Sequence, residues 1–137
     1  GGLLRDLPLV EAILGALRPD HSVETRISQV LRALLGALAA DDNRARIIMI
    51  ESLKAGPVAA AHVSEAHRRF AGVYIASREE FRKTRPDLPP ISMVRGLAII
   101  GAVNEPITVM LREEPAENVL EIVDELITVM KALALAS

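Results

Sequence analysis

The feature that most constrains this chain is a C-terminal helical segment too apolar to satisfy with one neighbour. Over residues 116–136 the polar side chains Glu117, Asn118, Glu121, Asp124, Glu125, Thr128 and Lys131 gather on one strip. Val119, Leu120, Ile122, Val123, Leu126, Ile127, Val129, Met130 and Leu133 fill the rest of the circumference. A surface helix needs an apolar stripe only about 100° wide. A helix apolar over most of its girth therefore needs two partners, the chain's own core and a second copy of the chain. The preceding segment, ISMVRGLAIIGAVNEPITVMLRE, shows the same excess. Self-association is the first expectation.

A chain of 137 residues fits one domain, spanning 1–137, and a chain of this size buries roughly two-thirds of its unfolded surface. Half of it is hydrophobic (50%), but the apolar content is Ala, Leu, Ile and Val, with only Phe70, Tyr74 and Phe81 as aromatics. That composition favours helices over a β-sandwich. With no cysteine, disulfides and thiolate metal sites are excluded, which fits a reducing interior. Apolar runs are interrupted before the roughly 20 residues of a membrane span, so no membrane partner is expected, and no signal peptide is visible. Net charge is −2, with residues 57–90 leaning basic and residues 91–137 acidic. This is not the concentrated basic face of a DNA-binding domain. The Gly-Gly-Leu start points to a piece of a longer protein.

Six helical segments are predicted. The first covers about Leu7–Arg18, with Pro8 near its first turn. After Pro19-Asp20-His21-Ser22, where Asp20 or Ser22 offers a cap, the second covers Val23–Ala40 with Ile27, Val30, Leu31, Leu34, Leu35 and Leu38 on one face. Asp41-Asp42 opens a third, Asn43–Ala55, and Gly56-Pro57 separates it from a long fourth, Pro57–Arg85. The apolar stripe of the fourth is Val63, Ala66, Phe70, Val73, Tyr74 and Phe81; Arg68, Arg69, Arg78, Glu79, Arg82 and Lys83 are assigned to its outer face. A Pro86–Pro90 loop leads to the two closing helices, split at Glu114-Pro115. No strand-period alternation occurs, so the fold is all-α.

Catalytic chemistry finds no footing. His62 and Glu65 are three residues apart, but a di-iron bundle requires paired Glu-x-x-His motifs and none is present. There is no Gly-x-Ser-x-Gly elbow and no phosphate-cradling glycine loop. The expectation is a protein that is not an enzyme, without metal or cofactor. Glu79 and Glu80 lie one turn from Arg82 and Lys83, which predicts a salt-bridged surface. Two polar residues fall beside apolar stripes: His67, between Val63 and Phe70, and Asn104, in line with Met93, Leu97, Ile100 and Ile107. A buried amide requires partners. Those of Asn104 are either the local break that Pro106 makes with Glu105, a dimer seam, or a ligand.

The order of short helices, a long mid-chain helix, a proline-bearing loop and two C-terminal helices resembles the C-terminal domain of TetR/AcrR-family transcriptional regulators. The run GLAIIGAVNEPITVML and the segment LAADDNRARIIMIESLKAGP carry the likeness. The resemblance implies a cytoplasmic, ligand-sensing homodimerisation domain of a repressor: a six-helix orthogonal/antiparallel bundle whose last two helices pair with their twofold mates as a four-helix interface. A small apolar effector would bind a pocket and modulate DNA binding, and DNA would be reached only through an N-terminal helix-turn-helix half absent from this sequence. Pocket candidates are Met49, Leu53, His67, Phe70, Tyr74, Met93, Leu97 and Asn104. Seam candidates are Ile99, Val103, Ile122, Leu126, Val129 and Leu133. The alternative is a dimeric helical interaction module with no small-molecule pocket.

Overall fold

A computed structural model describes residues 22–51 and 56–135, and the predicted helix at Leu7–Arg18 lies outside those residues. Five α-helices account for most of the described chain, with no strand among them: α1 (Val23–Ala39), α2 (Asp42–Arg46), α3 (Pro57–Arg82), α4 (Met93–Glu113) and α5 (Val123–Leu135). Caps set their starts. Ser22 Oγ accepts from the Thr25 amide at 3.2 Å, Asp41 from Arg44 at 3.0 Å, and Ser92 from Arg95 at 3.2 Å. Gly56, at φ 97° and ψ −174°, occupies backbone space closed to other residues, and Pro57 follows at the first turn of α3.

Two elements depart from simple α-helix. The predicted Asn43–Ala55 helix is α only to Arg46 and continues as a π turn over Ile47–Glu51. After Pro115, Ala116–Ile122 is a 3-10 helix that passes directly into α5. In 3-10 geometry residues three apart eclipse one another, so Ala116 and Val119 point inward together, with Ile122 packed against the core after them. Leu120, which α-helical spacing would turn toward the core, is 50% exposed.

The core forms where α1 packs on α5 and the 3-10 helix, and α5 packs on α4. Val23, Ile27, Leu31, Leu35 and Leu38 line the buried face of α1, four to three residues apart as the period demands. Burying each leucine contributes roughly 2 kcal/mol. Helix α3 packs chiefly on α4, where Gly96 lets the backbones approach: a β-carbon there would sit 3.3 Å from Ala71 Cβ and Ile75 Cδ1. By length and composition α4 is sufficient to cross a membrane, with mean hydropathy 1.4 over its most apolar window, against the expectation that every apolar run stops short. A third of that window (33%) is buried inside the chain.

Arg78, assigned by periodicity to the outer face of α3, is buried at 5% exposure. It lies one turn beyond Tyr74 on the inward side. Its guanidinium donates to the Ala134 carbonyl in the last turn of α5 and, at 2.9 Å, to the Pro89 carbonyl of the proline loop. Carbonyls at a helix C-terminus lack intrahelical donors and carry the negative end of the dipole. No basic residue of α5's own last turn serves them.

Candidate functional site

Three places gather the residues singled out from the sequence. At the α3–α4 contact, Asn104 and His67 meet: Asn104 Nδ2 lies 2.9 Å from His67 Nε2. Burial holds the imidazole pKa below its ordinary value, which favours the neutral ring, and Nε2 accepts from the amide N–H in the tautomer that carries its proton on Nδ1. Within the chain the amide of Asn104 thus meets His67 of α3 rather than the Pro106 break. Helix α4 runs through Pro106 without interruption, and Pro106 is exposed.

Around this pair, Phe70 and Leu97 are half-buried. Tyr74 packs against the core, where burial raises its hydroxyl pKa and the adjacent Arg78 opposes the shift. Met49 is on the π turn, half-buried against the core, and that turn packs on α4. Met93, expected in a pocket, is 43% exposed as the first residue of α4. Leu53 lies outside the described residues. The buried line of α4 is Gly96, Ile99, Val103, Ile107 and Leu111; it shares Ile107 with the line drawn through Asn104 but falls one position before Leu97, Ile100 and Asn104 themselves.

The second place is the outer side of α5. Val129 and Leu133, four residues apart on one side of α5, are 41% and 45% exposed, whereas Ile122, at the end of the preceding 3-10 helix, is half-buried against the core. On α4, Val109 is 42% exposed and Ala98 and Gly101 are exposed. Ile99, Val103 and Leu126, expected at a subunit seam, are instead buried at 4%, 7% and 5% in this chain's own core. Helices apolar on two sides do not reveal from spacing which side faces inward, and the inward choice falls on those three.

The third place escaped sequence reasoning. Asp42 and Arg46, one turn apart on α2, clamp the corner between α4 and the 3-10 helix. Arg46 donates to the Leu111 carbonyl and, at 2.6 Å, to that of Glu114. Asp42 pairs with Arg46 at 2.9 Å and accepts from the Ala116 amide at 2.7 Å. Opposite charges thus satisfy both helix ends that Pro115 separates. The Arg46 bond, then the Ala116 amide, hold the Asp42 carboxyl below its usual range. The sole sequence signal is the Asp-x-x-x-Arg spacing. An open hollow of about 410 Å³ beside the clamp is lined by Ala39, Ala40, Asp42, Arg46, Pro115 and Glu117. It is partly polar and solvent-facing, unlike the enclosed apolar cavity that small effectors favour.

Among the described residues no three His, Asp or Glu side chains converge as metal ligands. At the C-terminal end of α3, Arg82 pairs with Glu79 at 3.0 Å and the capping residue Lys83 with Glu80 at 3.1 Å. Comparison with protein-family models, curated proteins and solved structures returns no match for this chain.

Proposed function

We propose that this chain is a ligand-sensing, self-associating helical domain of a TetR-like transcriptional regulator, with α5 at the subunit seam. The observation that carries the self-association is the exposed pair Val129 and Leu133 on a helix whose opposite side is already buried. Beside α5, α4 exposes the small residues Ala98 and Gly101, which permit close approach of another helix. The seam is accordingly Val129, Leu133 and the flank of Ile122, without Ile99, Val103 or Leu126. For sensing, the support is the α3–α4 contact, where half-buried Phe70, Tyr74 and Leu97 accompany one polar pair. DNA contact belongs to an N-terminal half of a longer protein, and the setting is cytoplasmic.

One observation favours the second reading, an interaction module that dimerises without a pocket. His67 and Asn104 satisfy each other, and Gly96 is closely flanked by Ala71 and Ile75. The α3–α4 contact is therefore already filled at two levels.

Light scattering at micromolar concentration tests the dimer: the wild-type chain is expected at twice the monomer mass and Val129→Glu at the monomer mass. A monomeric wild type overturns both readings. A thermal-shift screen of small apolar compounds separates them, because a ligand that binds only the native state raises the melting temperature by mass action. A dimer that responds to no compound is the pocketless module.

A further inference from the structure

Helix α4 carries a row of residues on the side away from the core. Arg95, Ala98, Ala102, Glu105, Val109 and Arg112 follow one another at alternating steps of three and four, the spacing of a helix-packing seam. Ala102 is half-buried and the other five are exposed, whereas Ile99, Val103, Ile107 and Leu111 hold the opposite side in the core. Opposite charges stand within the row. Arg95 precedes Ala98 by three residues and Glu105 follows Ala102 by three, so an alanine pair lies between a cation and an anion. Neither charge has an ion pair among the described residues.

From this pattern we infer that α4 crosses α4 of a second copy antiparallel on a twofold axis, with Arg95 of each chain paired to Glu105 of the other. The inference rests on the self-association proposed above and makes α4, beside α5, the helix that sets its register.

Charge complementarity identifies both the occupant and the alignment. A twofold contact is isologous, so whatever Arg95 meets must meet Arg95 in return. With the axis midway between Ala98 and Ala102, each Arg95 faces a Glu105 and each Ala98 an Ala102. Moving the axis half a heptad toward the C-terminus sets Arg95 against Arg112, a repulsive contact. Moving it the other way sets Arg95 against Ala98 and carries Glu105 past the start of the opposing helix. The row is thus complementary to itself in one register. Alanines in its middle layers let the helix axes approach to about 8 Å, the short end of the usual range.

Sedimentation of charge-reversed chains tests the pairing. Both positions are exposed, so each variant should keep the helical circular dichroism of the wild type. Arg95→Glu sets acid against acid at both ends of the crossing, and Glu105→Arg sets base against base. Each variant alone should raise the dimer dissociation constant roughly tenfold or more. Mixed in equal amounts, the two variants should associate with each other at close to the wild-type constant, because every charged layer of the mixed pair is again opposite in sign. A wild-type dimer whose constant neither reversal changes overturns the inference and leaves the seam to α5. Two weakened variants that do not recover on mixing overturn the pairing as well. A monomeric wild type instead overturns the self-association reading itself.

Discussion

Single side chains join parts of this fold that helix periodicity does not relate. Arg78 is the leading case, because its two carbonyl partners belong to α5 and to the proline loop. Replacing it with Met keeps the volume and strands both carbonyls, at about 1–3 kcal/mol for each buried group left unpaired. Urea unfolding of Arg78→Met should show a loss of about 2–4 kcal/mol. Arg78→Lys should recover little, since one ammonium lacks the fork that reaches two acceptors. Asp42 acts through charge. Its pKa is lower in the folded chain than in the unfolded one, so its contribution is complete above about pH 4 and fades as pH falls through the folded value. Asp42→Asn should therefore be less stable than wild type at pH 7, with the gap narrowing as pH falls below about 4. A gap that stays constant across that range would show that the carboxylate charge is not what stabilises the corner. Neither role was fully legible: Arg78 sits four residues after Tyr74 on the stripe, a hint of burial, but its partners lie 11 and 56 positions away.

At the scale of elements, helix existence was legible and helix character was not. Ser22, Ser92 and Gly56-Pro57 act as sequence rules lead one to expect, and α1 buries Ile27, Leu31, Leu35 and Leu38 from its predicted face. The 3-10 start of the last element was invisible, because Ala116–Ile122 is equally suited to an α-helix. The inward alignment of Ala116 and Val119 decides it, and a core contact leaves no local trace. The Asn104–His67 bond was missed for the same reason: each residue was noticed, but nothing in one helix names its mate in another. The two glycines of α4 separate packing from propensity. Gly96→Leu should lower the melting temperature by the equivalent of about 1–3 kcal/mol as α3 is pushed away. Gly101→Ala, with nothing within 4 Å of its new methyl, should be neutral or stabilising by up to about 1 kcal/mol. Equal effects at both sites would remove the close α3–α4 approach as the reason for Gly96.

For the whole molecule, the described residues make an all-α fold whose helices are bound mainly by apolar burial. The excess apolar surface at the C-terminus divides into a part buried in the chain's own core and a part left on its surface. Sequence reasoning recognised the excess but not the division. Residues such as Leu126 and Val129, three apart on one helix, end on opposite sides of that boundary.

The packing of α1 against the 3-10 helix and α5 joins the first described helix to the last. On a ribosome, Leu31, Leu35 and Leu38 emerge long before Val119, Val123 and Ile127 exist to cover them. The leucine face of α1 must therefore wait, wet and exposed, while nearly all the remaining chain is made. Closing so long a loop makes late, concerted folding the natural order for this topology. A chain halted before the 3-10 helix would leave that face bare, as a sticky surface for chaperones or for other unfinished chains.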